Sequence, residues 1–366
     1  MTGPASARGH RSVTLALLLL LAGACSDGGR TRIAPTRSGG AAIPRHAGPM
    51  DTAVARQLGA LTYDPLDEPM AWPSPDTLYV AHAEHYSADD RSLYACDGSG
   101  FYAVALSSET TRPLGVGKPA CGMLYGKGGI ALDRTGRVAV SDARAGQNRS
   151  HLVRITLPGG PVDTLQTGCA IYAEEPDLSP DGHLVAFRGL CEGRDQEHWK
   201  LYVARADGSG LRQLPGEPRR NLGLPRWSPD GTRLAYVSVG PGAPATIAVM
   251  DTAGGQRRVL ARGWEPAWSP DGRRLAYIWD GGRRDDTESI RVIAPDGAGG
   301  REVFVNGERS TYSRGWGPLP EGVPEGRLVW SPDGEWIAFS RRYDRGASVW
   351  RVHVRTGEAR QVTRPP

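Results

Sequence analysis

Short runs in which apolar and polar residues alternate follow one another along most of the chain, and glycine or proline bounds each run. The run from Arg233 to Tyr236 is typical, and the same pattern returns from Arg274 to Tyr277. A period of two residues predicts a β-strand with one face in a core. After residue 25 no apolar stretch is long enough to cross a bilayer as a helix. The pattern predicts an all-β body built from short strands.

A phrase of five residues, Trp-Ser-Pro-Asp-Gly, stands ahead of several of these runs. It begins at Trp227, Trp268 and Trp330, and a fourth copy has Leu178 in place of the tryptophan. Proline suits the second position of a tight turn, and glycine accepts the positive φ that follows it. The phrase therefore predicts a three-residue hairpin loop with a glycine bulge, which joins two antiparallel strands.

Two weaker copies extend the series, from Leu132 to Gly136 and from Trp72 to Asp76. The serine, or the residue in its place, then falls at positions 74, 133, 179, 228, 269 and 331, at intervals of 41 to 62 residues. Two further β-rich runs follow most copies, which gives four strands per unit. Radial repetition of such units makes a propeller. We predict an all-β fold, a six-bladed β-propeller of four-stranded antiparallel blades.

These repeats resemble the WD-like units of the propeller in TolB-type periplasmic proteins, which have six blades. The resemblance covers roughly residues 65 to 366 and is most specific in the last four units, which carry the full phrase or its Leu178 variant. It implies a TolB-like propeller over residues 61–366. TolB also carries an α/β domain ahead of its propeller, for which the roughly 40 residues between the signal region and the first strand leave no room. We therefore carry over the fold of TolB and not its partners.

The first 25 residues resemble a bacterial lipoprotein signal peptide. Arg8 and Arg11 precede an apolar run from Val13 to Leu21, which is too short for a membrane span. The small residues before Cys25 resemble a lipobox with that cysteine as the lipidated residue, and ordinary cleavage that leaves Cys25 free is the alternative. Ser26 resembles an outer-membrane sorting residue. We predict a signal peptide over 1–25, a flexible tether over 26–60, and a lipid anchor in the cell envelope, at the outer membrane.

Four cysteines remain beyond the anchor, an even number that suits an oxidising compartment. Cys169 lies just ahead of the first strand of the third unit, and Cys191 lies just after its second strand. We predict the disulfides Cys169–Cys191 and Cys96–Cys121. A metal site is the competing interpretation, although the chain has no Cys-x-x-Cys sequence.

The charge balance and the absence of several catalytic motifs argue against some classes of function. Without Arg8 and Arg11 the chain has 42 basic and 40 acidic residues, which does not fit a nucleic-acid binder. The sequence has no Gly-x-Ser-x-Gly, no His-Glu-x-x-His and no phosphate loop. The only histidine cluster, His82 and His85, has a spacing that points the two rings to opposite faces of a strand. We interpret this cluster as a solvated loop rather than a metal site.

Glu175 and Glu265 each precede a proline at equivalent repeat positions, where the first strands enter the central channel. Carboxylates there could hold a hard cation such as calcium. A hydrated channel mouth is the interpretation we favour, so we expect no cofactor and no metal.

Loop lengths predict where a partner binds. In a four-stranded meander, the first-to-second and third-to-fourth turns share one face of the disc, here called the short-turn face. The second-to-third loops and the connections between blades share the other, the long-loop face. Binding residues favour irregular loops on a rigid scaffold. The longer segments of that face are 142–148, 189–198, 280–287, 306–326 and 341–346. The expected contact residues are Arg194, Asp195, Arg283, Arg284, Tyr312, Arg314, Trp316, Arg341, Arg342 and Tyr343.

The sequence leaves two function classes. We favour a non-enzymatic envelope lipoprotein whose propeller is a binding scaffold for a protein, peptide or glycan. The alternative is an envelope hydrolase or lyase with a site in the channel mouth, because propeller enzymes spread their catalytic residues over several blades.

Overall fold

Strands account for all of the regular secondary structure in the part of the chain that the computed structural model describes, which holds 27 strands and no helix. No helix there is long and apolar enough to cross a membrane. The described residues are 66–83, 86–87, 92–94, 100–114, 123–125, 130–133, 135–144, 149–157, 159–169, 171–191, 198–253, 255–279, 288–305, 324–343 and 346–363.

Six four-stranded antiparallel sheets form a ring, so the predicted six-bladed propeller is confirmed. Within each blade the strands follow the chain from the channel outward. The first blade contains β1 (Leu66–Ser74), β2 (Thr77–Ala83), β5 (Gly100–Ala105) and β6 (Thr110–Pro113). The second contains β7 (Met123–Tyr125) and β8 (Ala131–Leu132) as two parts of its inner edge, then β9 (Val138–Arg144), β10 (Ser150–Thr156) and β11 (Val162–Thr164).

The other four blades carry the clearest repeats. The third contains β12 (Tyr172–Leu178), β13 (Leu184–Leu190), β14 (Lys200–Arg205) and β15 (Arg212–Gln213). The fourth contains β16 (Asn221–Trp227), β17 (Arg233–Val239), β18 (Thr246–Asp251) and β19 (Arg258–Arg262). The fifth contains β20 (Trp264–Trp268), β21 (Leu275–Trp279), β22 (Ser289–Ile293) and β23 (Arg301–Val305). The sixth contains β24 (Pro324–Trp330), β25 (Trp336–Tyr343), β26 (Gly346–His353) and β27 (Ala359–Gln361).

A small hairpin departs from the repeat. Strands β3 (Tyr86–Ser87) and β4 (Ser92–Tyr94) belong to the second-to-third loop of the first blade, yet β4 pairs with β7. The loop of one blade thus extends the sheet of the next blade on its channel side. The repeat pattern did not predict this exchange, because β3 and β4 lie in an irregular segment without the phrase.

The turn made by the phrase is one residue longer than expected. Gly231 has φ of 71° and its N–H donates to the carbonyl of Ser228 at 2.8 Å. Arg233 donates its N–H to the hydroxyl of Ser228 rather than to the Ser228 carbonyl, at 2.9 Å. The loop therefore holds four residues between Ser228 and Arg233, and the serine side chain replaces one ladder bond. Asp133 does the same in the second blade, where its carboxylate accepts the N–H of Val138 at 3.0 Å.

The phrase tryptophans join neighbouring blades, as their shared repeat position predicts. The indole N–H of Trp268 donates to the carbonyl of Arg226 at 3.0 Å, and that of Trp330 donates to Ala267 at 3.0 Å. In both pairs the acceptor lies on the inner strand of the preceding blade. Arg233, from the preceding blade, also lies over the Trp268 ring at 4.6 Å. The hydrophobic core is therefore a series of layers between blades.

Two long-range links complete the ring. Leu66 of β1 pairs in parallel with Ala347 of β26, and the hydroxyl of Ser340 donates to the carbonyl of Asp67 at 2.8 Å. The predicted disulfide Cys169–Cys191 is present and closes a loop of 22 residues, which stabilises the fold by about 3 kcal/mol in the chain-entropy model. Cys96 and Cys121 lie outside the described residues.

Candidate functional site

The residue four positions before the phrase serine lies on the inner strand of each of the last four blades. Glu175, Leu224, Glu265 and Arg327 occupy this position in the third to sixth blades. The first three have φ between 50° and 55°, and each lies where the pairing of the inner strand shifts register. A positive φ is unfavourable for residues other than glycine. These bulges redirect the side chain toward the neighbouring blade.

Glu175 is held by two blades. One of its oxygens accepts the N–H of Leu224 at 2.7 Å, and the other forms an ion pair with Arg188 at 3.1 Å. Its side chain is buried, and burial raises the pKa of the carboxyl despite the opposing effect of Arg188. Glu175 therefore links the third blade to the fourth.

Arg188 contacts both the acidic residues of β12 and a tryptophan on the long-loop face. It also pairs with Glu174 at 2.7 Å, so one guanidinium bridges two adjacent carboxylates of β12. Burial acts to lower the pKa of Arg188, and the charges of Glu175 and Glu174 outweigh that effect and raise it. Its guanidinium stacks over Trp199 at 4.3 Å.

Arg327 crosses the channel. From β24 of the sixth blade it donates to Asp177 of the third blade at 2.5 Å and to the carbonyl of Ile130, beside the second blade, at 3.3 Å. Asp177 also accepts the backbone N–H of Trp227 at 2.9 Å. Three blades that are far apart in sequence thus meet at one arginine.

Glu265 has a separate arginine. Arg226 of the fourth blade lies 3.6 Å from its carboxylate, and burial, followed by the nearby charge of Arg327, lowers the pKa of Arg226. Glu175 and Glu265 therefore each belong to a different ion pair. Among the residues that the structure describes, no group of three His, Cys, Asp or Glu side chains could hold a metal ion.

Asp142, on β9 of the second blade, is a buried acid close to Glu174 and Glu175 of the third blade. Asp142 is 1% exposed, and among the described residues its carboxylate oxygens accept no hydrogen bond within the usual limits, although the backbone of Glu175 lies close enough to lower its pKa slightly. Burial, and next the charges of Glu174 and Glu175, raise the pKa of Asp142 well above its usual range. Ionising a buried acid costs free energy, so burial favours the protonated form of Asp142 and outweighs the opposing effects of Arg188 and the Glu175 backbone.

We predict that this acid makes stability depend on pH. Because the pKa of Asp142 is higher in the folded chain than in the unfolded chain, its contribution is present at low pH and is lost as the pH rises through the folded pKa. Asp142→Asn should therefore stabilise the protein above that pKa by about 1–3 kcal/mol and change it little near pH 4. Urea unfolding over a pH series measures this.

The matched control is Asp163→Asn, which changes an exposed aspartate on β11 of the same blade. It should leave the pH profile unaltered. Equal profiles for Asp142→Asn and the unsubstituted protein would refute the proposed burial effect.

Three side chains of the third blade lie together on the long-loop face, and we call them the mouth cluster: Tyr172, Arg188 and Trp199. The rings of Tyr172 and Trp199 lie 5.5 Å apart, and both are half-buried. Trp199 is held by its backbone N–H, which donates to Asn221 at 2.9 Å. The disulfide joins the open ends of the same hairpin. Cys169 lies just before Tyr172, the first residue of β12, and Cys191 directly follows the last residue of β13.

Most of the predicted contact residues lie outside the described residues, namely Arg194, Asp195, Arg283, Arg284, Tyr312, Arg314 and Trp316. Cys25 and His85 lie outside them as well. The interpretation of His82 as part of a solvated loop is wrong, because His82 belongs to β2, is buried and hydrogen-bonds to Asp67 at 2.6 Å through Nδ1.

The segment 341–346 differs from the expected long loop. Arg341, Arg342 and Tyr343 belong to β25, and their backbones pair with residues of β26 up to Gly346. Arg341 is half-buried and lies over the Trp350 ring at 5.0 Å.

The mouth cluster, Asp142 and Arg327 were not predicted from the sequence as parts of a site. For Arg327 a signal existed, since alignment of the phrases puts it at the repeat position of Glu175 and Glu265 with the opposite charge. No comparable pattern marks Asp142 or Trp199, whose contacts with residues far away in sequence exist only in the folded chain.

Comparison with known proteins supports the propeller and little beyond it. No protein-family model matches the chain. A stretch of 80 residues is 39% identical to the Tol-Pal system protein TolB of Alkalilimnicola ehrlichii, covering 22% of this chain and 18% of that protein. Another, of 94 residues, is 31% identical to the uncharacterized peptidase YuxL of Bacillus subtilis, covering 25% of this chain and 14% of that protein. The chain thus matches less than a fifth of the length of these relatives.

Solved structures extend the likeness over most of the chain. A structure assigned as TolB from Agrobacterium tumefaciens aligns with a TM-score of 0.53 and 16% identity, covering 74% of this chain and 87% of that one. An oligogalacturonate lyase in complex with manganese aligns with a TM-score of 0.52 and 16% identity, covering 80% and 91%. Identities at this level establish the fold alone. The chain is a six-bladed β-propeller with four-stranded blades, and it is TolB-like in that fold.

Proposed function

We propose that the protein is a binding scaffold of the bacterial cell envelope, which holds a protein or peptide partner on the long-loop face. The TolB relatives are named as Tol-Pal system proteins, and likeness to them supports an envelope location and a protein partner. The lipid anchor at Cys25 and the location at the outer membrane belong to this proposal. The mass of the mature N-terminus tests whether Cys25 is acylated.

The observation that carries the proposal is the contrast between the channel and its mouth. Inside, Glu175, Asp177 and Glu265 are committed to arginines or backbone groups of other blades, so these charges brace the ring. At the mouth, Tyr172 and Trp199 remain half-buried around an arginine. Aromatic residues and arginine dominate the energetics of protein interfaces.

The geometry of the mouth cluster favours recognition because its parts are fixed before binding. Trp199 is held by Asn221 and by the stacked Arg188, and the disulfide anchors the hairpin beside it. A rigid aromatic anchor loses little conformational entropy when a partner binds. The loop 306–323, which carries Tyr312, Arg314 and Trp316, would add contacts on the same face.

Capture of a partner from an envelope extract of the parent bacterium tests the proposal. We expect the double variant Tyr172→Ala/Trp199→Ala to weaken capture by about tenfold or more, as loss of an interface hot spot does. The triple variant Tyr312→Ala/Arg314→Ala/Trp316→Ala should weaken it as well. In both, the cooperative unfolding transition should persist.

Trp336→Ala is the matched control, because it removes a half-buried tryptophan from the short-turn side of the sixth blade. Capture by this control should equal that of the unsubstituted protein. Undiminished capture by both long-loop variants would contradict the proposal. Metal-dependent turnover of a glycan or peptide by the purified protein would favour the hydrolase or lyase alternative instead.

A further inference from the structure

A groove of about 740 Å³ lies between the fourth and fifth blades on the short-turn face, opposite the mouth cluster. The third-to-fourth turn of the fourth blade forms one side, and two turns of the fifth blade form the other. The residues that matter for its chemistry are Arg233, Arg257, Arg258, Arg273, Pro295 and Asp296. Its volume lies in the range that accommodates a drug-sized ligand or a few residues of peptide.

Four arginines give the groove its charge, and they differ in how they are paired. Arg258 donates to the carbonyl of Asp296 at 2.9 Å, and among the described residues neither Arg258 nor Arg273 has a carboxylate within ion-pair distance. Arg257 is paired with Glu217 at 2.5 Å, and Arg233 lies 4.0 Å from Asp230. The groove is therefore positively charged.

The acids nearby offset part of this charge, and the turns hold their carboxylates in place. Asp230 accepts the hydroxyl of Ser228 at 2.6 Å and the N–H of Thr232 at 3.0 Å, and Asp271 makes the equivalent bonds in the fifth blade. The Asp296 carboxylate accepts the N–H of Ala298 at 2.9 Å. The excess fits the wider composition, since residues 201–366 carry 25 basic and 19 acidic residues.

The apolar part of the groove indicates the kind of anion. Ala294 and Pro295 line it and are half-buried. None of the residues that line the groove is aromatic, so no ring offers a stacking platform for a sugar. Clusters of arginine recognise acidic peptide motifs through paired hydrogen bonds to carboxylates.

We propose that this groove binds a short acidic peptide segment of a partner protein, with the carboxylates on Arg258 and Arg273 and an aliphatic side chain toward Pro295. This surface is separate from the one in the proposed function. A variant of the mouth cluster should bind such a peptide normally, so either proposal can fail without the other.

Fluorescence polarisation with the full mature chain and a labelled hexapeptide of alternating glutamate and valine tests the inference. We expect saturable binding that Arg258→Gln/Arg273→Gln weakens by about tenfold or more, the loss that removal of two charge-assisted contacts produces. Arg258→Lys/Arg273→Lys should retain part of the affinity. Binding should also weaken as ionic strength rises from about 0.01 M to about 0.15 M, because the Debye length shortens.

Arg301→Gln is the matched control, since it removes an exposed arginine of the fifth blade that does not line the groove. It should bind the peptide like the unsubstituted chain, and a hexapeptide with glutamine in place of glutamate should not bind. The inference is overturned if the acidic peptide does not bind, if the glutamine double variant binds it equally well, if inorganic phosphate displaces it at equimolar concentration, or if an acidic oligosaccharide binds more tightly than the peptide.

Discussion

Replacing Trp268 by alanine should lower the free energy of unfolding by about 3–5 kcal/mol, the range for large aromatic residues in a core. Trp268 is 8% exposed and lies between the fourth and fifth blades. The substitution leaves a cavity there, removes the hydrogen bond to the carbonyl of Arg226 and removes the ring under Arg233. Urea unfolding followed by far-ultraviolet circular dichroism measures the change.

Two variants identify the cause of that loss. Trp268→Phe keeps most of the ring but loses the indole N–H, so it should fall between the alanine variant and the unsubstituted protein. Trp279→Ala removes a half-buried tryptophan at the end of β21, and it should cost distinctly less. If Trp279→Ala and Trp268→Ala were equally destabilising, packing between blades would not be the reason.

Arg327→Met should destabilise the ring by about 3–5 kcal/mol, because it leaves Asp177 as a buried charge without its cation. The Arg327 and Asp177 side chains are 15% and 9% exposed. Methionine retains the aliphatic volume, so the loss reports the ion pair and the bond to the Ile130 carbonyl rather than a cavity. The measurement is the free energy of unfolding in urea.

A double-mutant cycle with Asp177→Asn separates the ion pair from other effects. The two substitutions together should cost less than the sum of the single ones, with a coupling energy of at least about 1 kcal/mol. Arg360→Met, which breaks an exposed pair with Glu358, should produce no measurable change. Additive losses for Arg327 and Asp177 would mean that the bridge across the channel does not stabilise the fold.

The sequence by itself determined the blade count, the strand order and the turn positions. These follow from local chemistry: in each phrase the proline, aspartate and glycine fix a turn within six residues, and alternation predicts the strand after it. The shared position of Trp227, Trp268 and Trp330 was enough to predict packing between blades. Cys169 and Cys191 could be paired because one hairpin brings them together.

Details within these elements were less predictable. The serine hydroxyl that takes a ladder bond, and so lengthens the turn to four residues, depends on hydrogen-bond geometry that residue preferences do not specify. The strand character of Arg341 to Tyr343 was missed because its polar residues suggested a loop, whereas pairing with β26 satisfies the backbone. Likewise, the β3–β4 hairpin carries no repeat signal, and only pairing with β7 explains its place.

Only the tertiary structure decided what the charged residues do. Closure of the ring brings Arg327 to Asp177 across 150 residues of sequence and divides Glu175 and Glu265 between different arginines. Ring closure also buries Asp142 close to Glu174 and Glu175 and brings Arg258 and Arg273 to the same groove. Turns and strands depend on neighbours in sequence, so the chain specifies them locally. The ion pairs across the channel and the basic groove depend on neighbours in space, which the packing of one blade against the next supplies, whereas the mouth cluster depends on the pairing of three strands within one blade.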